Sequence, residues 1–122
     1  MHPQLEILLQ LQDLRAQRRE LDAQGAGETT EKVESEIFQV DLARARDELD
    51  AKIREIEEHL EPVVRDRDRR LAAGRGRAVV PVIRGICYGC FMAVPSAVAA
   101  ARDANETLSV CQNCGRFLYF IR

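Results

Sequence analysis

There is no tryptophan in the chain, aromatic residues make up only 5 % of it, and no apolar run approaches the roughly 20 residues of a membrane-crossing helix. The first two scarcities exclude a large aromatic core, and the third sets the expectation of a soluble protein without a membrane partner. The N-terminus, MHPQLEILLQLQDLRAQRRE, has no basic stretch followed by an unbroken apolar one, which points to a cytoplasmic chain. Catalytic patterns are lacking too. No nucleophile elbow, phosphate loop or H-E-x-x-H run occurs, and His2 and His59 have no partner at ligand spacing, so no enzyme is expected. Cysteine is equally sparse, with four residues in all.

What is present is charge, at 31 % of 122 residues, and it is unevenly divided. Residues 1–64 carry eight basic and sixteen acidic side chains, whereas 65–122 carry ten basic and four acidic ones. The first part is rich in Leu, Ala, Glu, Gln and Arg, the composition of long helices. Ile7, Leu11, Leu14 and Leu21 keep helical spacing, widened by Leu5 and Leu8, and predict a helix over about 3–24. GAGETT breaks it: two glycines supply a turn, and Thr29 or Thr30 offers a cap for a second helix over about 30–72. Val33, Ile37, Val40, Leu49, Ile53, Ile56, Leu60 and Val63 form the stripe of that helix. Pro62 marks a kink or a restart within it.

Residues 1–76 therefore read as an antiparallel coiled-coil hairpin with unequal arms, roughly 33 Å and 64 Å long at 1.5 Å per residue. The longer arm leaves Ile53, Ile56, Leu60 and Val63 without a partner in the hairpin. A homodimer, a target protein or the C-terminal module is expected to cover them.

From Arg77 the pattern changes to a compact α+β module over 77–122. RAVVPVIRGI, ETLSV and RFLYFI are strand-like, and PSAVAAARDANE reads as a short helix capped by Ser96. All four cysteines lie here in two C-x-x-C pairs: Cys87 with Cys90, then twenty residues later Cys111 with Cys114. This spacing is at the upper limit of a four-cysteine zinc site. Four thiolates satisfy a tetrahedral Zn²⁺ and leave no position for substrate, so one structural zinc is expected. Redox-active pairs would call for a thioredoxin-like βαβ context, and an iron–sulfur cluster would use the same four ligands.

The strings CYGCFMAVP and CQNCGRFLY, with GRGRAVV upstream, resemble the C4-type zinc ribbon of a bacterial family whose N-terminal part is a long coiled-coil hairpin. The resemblance spans the order of the whole chain, which reads as a member with shortened arms. It implies a non-catalytic adaptor or transcription regulator, with a partner such as the alternative sigma factor σ54 or a flagellar or type III secretion component.

Two other readings rest on other residues. Arg69, Arg70, Arg75, Arg77, Arg84 and Arg116, with the aromatics near the cysteines, could form a basic, stacking surface for RNA or a basic face for a protein partner. The alternative to both is a solvated helix face in a chain whose basic residues are arginine at sixteen of eighteen positions. A hairpin followed by a four-cysteine finger also resembles factors that enter the secondary channel of RNA polymerase. Their tips carry paired aspartates, where this chain has Asp22, Glu28 and Glu31.

Overall fold

The computed structural model describes residues 1–26 and 32–121. Three helices come first: α1 (Pro3–Ala26), α2 (Lys32–Glu57) and α3 (Pro62–Arg75). A three-stranded sheet follows, made of β1 (Val79–Ile83), β2 (Ile86–Cys87) and β3 (Phe117–Ile121), with the short helix α4 (Ser96–Ala99) and a 3-10 turn, Ala104–Glu106, between β2 and β3. The chain thus combines helices with a small sheet and a cysteine cluster. The caps expected at Thr29 and Thr30 lie outside the described residues.

α1 continues through Gly25 to Ala26, two residues further than expected. It lies beside α2 with rising residue numbers facing falling ones: Arg15 meets Glu57, Arg18 meets Asp50, and Asp22 meets Arg46.

The single helix expected over 30–72 is instead two. Proline lacks an N–H and disfavours helical backbone in the residue before it, and Glu61 is accordingly extended at φ −61°, ψ 146°, with Pro62 opening the first turn of α3. The break exposes polar backbone groups, and two side chains satisfy them. Gln4 donates from Nε2 to the His59 carbonyl (3.2 Å) and accepts from the Glu61 N–H (2.9 Å). Arg65 donates to the carbonyls of Glu57, Glu58 and Leu60, a cation at the C-terminal end of α2 where carbonyls and dipole favour it. α3 then turns back, bringing Asp68 to Arg15 and Arg69 to Glu57.

This turn corrects the expectation of an uncovered stripe. Leu60 and Val64 are buried with Leu5, Leu8 and Leu11 of α1, while Ile53 and Ile56 pack at the edge of the same cluster. Only Val63 of the predicted interface points outward, 79 % exposed. Of the covers expected for this stripe, the C-terminal module is present within the chain, where Ala78, Val79 and Phe117 join α1 around Leu60.

The sheet has the order β2-β1-β3. β1 and β2 form a hairpin through Arg84 and Gly85, both at positive φ (53° and 78°), as a tight two-residue turn requires. β3 pairs parallel to β1, with Val79 opposite Phe117 and Val82 opposite Phe120. Alternation along a strand sends successive side chains to opposite faces. Val79 and Phe117 enter the helical core, while Val80, Val82, Leu118 and Phe120 enter a second core with Cys87, Cys111 and Cys114. One sheet therefore separates the helices from the cysteines and packs against both.

Further ties join residues 1–76 to 77–122. The Val79 N–H donates to Gln12 Oε1 (3.0 Å), the His2 N–H to the Asn105 carbonyl (2.7 Å), and Arg67 to the Gly115 carbonyl (3.2 Å). α4 is shorter than expected, and Ser96 is its first residue rather than its cap, since Pro95 occupies the cap position. Val110, in the strand-like ETLSV, forms an isolated bridge to Phe117.

Candidate metal centre

The first knuckle leaves the end of β2, which contains Cys87, and the second leads into β3, and the four sulfurs converge. Every pair of Sγ atoms among Cys87, Cys90, Cys111 and Cys114 lies within 4.8 Å. Cys87 and Cys114 are 3.8 Å apart and Cys90 and Cys111 3.7 Å. Disulfide sulfurs would sit at about 2.0 Å. A tetrahedral cation with bonds near 2.3 Å has sulfur edges of about 3.8 Å, so the donor set fits a closed four-thiolate metal site. The cluster could hold one metal ion with no ligand position left over.

Each knuckle is shaped by a turn that bonds back on itself. The Phe91 N–H donates to the Cys87 carbonyl (2.7 Å) and the Gly115 N–H to the Cys111 carbonyl (2.9 Å). Gly115 adopts φ 78°, a conformation glycine reaches without steric cost. Space is tight at Gly89: a Cβ there would come within 2.5 Å of Arg116 Nη1, which would have to move aside, and 3.1 Å of Val80 Cγ1.

The sulfurs differ in environment. The Gly89 N–H approaches Cys87 Sγ at 3.4 Å. For the thiols by themselves, burial pushes Cys87 up to about 12 and moves Cys114 upward as well. Hydrogen bonds from the Asn113 side chain and the Met92 backbone pull Cys90 down to about 6. A bound cation reverses the first effect, because its charge stabilises the thiolates it coordinates.

The arginines singled out in the sequence are scattered over several elements. Arg69 pairs with Glu57 at 3.2 Å, and Arg70 donates to the Asp66 carbonyl one turn earlier. Arg70 and Arg67 line a groove between α3 and the second knuckle at Cys114 and Gly115. Arg116 donates from Nε to the Arg77 carbonyl (3.1 Å), joining those two positions. Arg84 stands exposed at the β1–β2 turn. The Arg75 side chain lies outside the described residues.

Part of the presumed solvated run RDRDRR is interior. Asp68 is 1 % exposed and binds Arg15 through both oxygens, at 3.0 and 2.8 Å, while Arg15 also reaches Glu57 at 3.1 Å. Burial works against the charged Arg15 guanidinium, but its bonds and charges with Asp68 and Glu57 outweigh this and hold its pKa above the ordinary value. At the other end of the helices Asp22 is engaged by Arg18 at 2.6 Å and by Arg46 at 3.4 Å, while Glu28 and Glu31 lie outside the described residues.

Sequence reading also missed Asn105. Its side chain accepts from the Phe120 N–H (2.7 Å) and donates to the Phe120 carbonyl (2.8 Å), closing the free edge of β3. An isolated Asn in a loop carries no signal of such a clamp.

No family model matches the chain, and no curated protein matches it. Among solved structures, CT398 from Chlamydia trachomatis is similar in fold, with a TM-score of 0.53 at 14 % identity over 97 % of this chain and 74 % of that one. At that identity the likeness concerns the fold alone. Among the described residues, no helix is long and apolar enough to cross a membrane.

Proposed function

We propose that the chain is a non-catalytic adaptor in which an antiparallel coiled-coil hairpin carries a structural zinc ribbon that binds a protein partner. The observation that carries this reading is the convergence of four cysteine sulfurs within 4.8 Å, a set that closes a tetrahedral zinc and leaves no open position for substrate. The antiparallel run of ion pairs between α1 and α2 supports the hairpin. By resemblance, the partner belongs to the sigma-factor or secretion-apparatus class. The exposed positions Arg70, Arg77 and Arg84 suit an acidic partner surface.

The RNA reading draws on the same arginines. It is weakened where Arg69 is paired with Glu57 and where Arg116 is bound to the Arg77 carbonyl. The channel reading is weakened by Asp22, whose carboxylate is already neutralised by two arginines.

Metal analysis of the purified chain tests the first half: one zinc per chain is expected, lost in Cys111→Ser together with the ribbon fold. A folded ribbon in metal-free Cys111→Ser protein would overturn it. Capture of a partner from native cytoplasm, lost in the same variant, tests the second half.

A further inference from the structure

The two knuckles repeat one turn. Phe91 and Gly115, each following the second cysteine of its pair, take positive φ at 62° and 78°, a conformation glycine reaches freely and phenylalanine rarely. Each returns its N–H to the carbonyl of the first cysteine in its own knuckle. The knuckles also share a neighbour of one chemistry, a guanidinium lying against a glycine. Arg116 Nη1 stands 2.5 Å from where a Cβ of Gly89 would be, in the first knuckle, and Arg67 Nη1 stands 3.4 Å from the corresponding point at Gly115, after the second. Both glycines adjoin the cluster: the Gly89 N–H bonds Cys87 Sγ, and Gly115 follows Cys114, which lines one groove with Arg67.

Both arginines are half-buried, and each reaches a knuckle from elsewhere. Arg67 comes from α3 and donates to the Gly115 carbonyl (3.2 Å). Arg116, the residue before β3, crosses to the first knuckle while its Nε donates to the Arg77 carbonyl (3.1 Å). Neither partner is an acid. Arg15, Arg18, Arg46 and Arg69 each meet a carboxylate, whereas among the described residues Arg67 and Arg116 hold only backbone carbonyls. A cation withdrawn from water is costly unless a counter-charge stands nearby. Four thiolates around a doubly charged metal ion leave two negative charges uncompensated, and one arginine at each knuckle matches them in number and sign.

We propose that Arg67 and Arg116 are the counter-charges of the metal centre, strengthening its hold on the ion by offsetting the negative charge of the four thiolates. This rests on the zinc reading and adds two residues that set the affinity of the site. Neither guanidinium is hydrogen-bonded to a sulfur, so both act through their field across the width of a knuckle, where partial burial limits screening. One of the two charges is supplied by α3. The helical part therefore contributes to metal retention, which a ribbon over 77–122 alone would lack.

The test measures the zinc affinity of the full chain by competition with a chromophoric chelator, at low and at high salt. Arg67→Gln and Arg116→Gln keep a donor for the backbone carbonyl and remove the charge. Each is expected to weaken zinc binding by about threefold to tenfold, less than the loss of a group bonded directly to a ligand. Arg67→Lys and Arg116→Lys keep the charge and are expected to bind within about twofold of the native chain. The deficit of the Gln variants should shrink at high salt. Arg54→Gln removes the same charge from an exposed site on α2 and should leave zinc binding unchanged. Cobalt absorption, a signature of the four-thiolate geometry, should be the same in every variant.

Native affinity in both Gln variants would overturn the proposal. Lys variants as weak as the Gln variants would overturn it too, making the carbonyl bonds or the packing of the arginines the cause. An equal loss in Arg54→Gln would assign the effect to net charge instead of to the knuckles. Should a Gln variant lose its fold, the Lys variant at that position decides: native affinity upholds the counter-charge and lost affinity removes it. A native chain that takes up no zinc ends the zinc reading itself, whereas unchanged zinc binding in the variants ends only this assignment of Arg67 and Arg116.

Discussion

The two ends of the helical part are held by different forces. At the end next to the sheet, Leu5, Leu8 and Leu11 are fully buried against Leu60, Val64, Val79 and Phe117, and the buried carboxylate of Asp68 has both oxygens engaged by Arg15. Towards the far end Leu42 of α2 is buried, but the ties between α1 and α2 there are the ion pairs Arg18–Asp50 and Arg46–Asp22, with Arg18–Asp22 inside α1. These face solvent, where screening and side-chain entropy leave little net gain. The difference teaches where stability resides: in the core that the helices share with the sheet, and through the sheet with the cysteines.

Keeping metal from the four cysteines should produce the largest effect. The structural zinc proposed there would supply on the order of 10 kcal/mol of binding free energy, more than a sheet of three short strands can replace. A chelator is expected to abolish the cooperative thermal transition, followed by circular dichroism.

Phe117→Ala comes next. The ring is 2 % exposed and lies in the helical core, three residues from Cys114, so its loss should cost about 3–5 kcal/mol. Chemical denaturation should then show helices and sheet unfolding together at a lower midpoint. Two separate transitions would mean that the shared core is not cooperative.

Asp68→Asn leaves the half-buried Arg15 without its principal counter-charge and should cost about 3 kcal/mol, read from the same denaturation midpoint. A change near zero would mean that Arg15 finds solvent instead. The smallest effect belongs to the far end. Asp50→Asn removes one exposed pair with Arg18 and should leave the midpoint unchanged within measurement, and a loss as large as that of Asp68→Asn would erase the contrast between the two ends.

The parts legible in the sequence are those governed by local spacing. The cysteine pairs announced their own convergence, since a two-residue gap and flanking glycine are enough to build a knuckle. Pro62 announced a break, because its effect on Glu61 is steric and local. The direction taken after it was not legible. It depends on Gln4 and Arg65 satisfying the freed backbone groups, and Gln4 lies more than fifty residues away in sequence. The burial of Asp68 was not legible for the same reason: nothing in RDRDRR distinguishes the one aspartate that Arg15 buries.

The stripe Ile53, Ile56 and Leu60 was recognised as apolar and left to a second copy, a target protein or the C-terminal module, because a straight helix would carry it past the end of α1; the choice among them depended on the turn at Pro62 and was not legible. Phe91 left a trace that could have been followed. The second knuckle reads C-G where the first reads C-F, and one turn geometry cannot suit both residues equally.

The central claim is that the cysteine cluster, the proposed metal site, and the base of the helices form one cooperative unit joined through the sheet. Hydrogen exchange at single-residue resolution, with and without chelator, tests it directly. The account predicts that, on metal removal, the amides of Leu8 and Leu11 lose protection together with those of Val80, Val82 and Leu118. Retention of full protection at Leu8 and Leu11 while the strand amides exchange freely would contradict it.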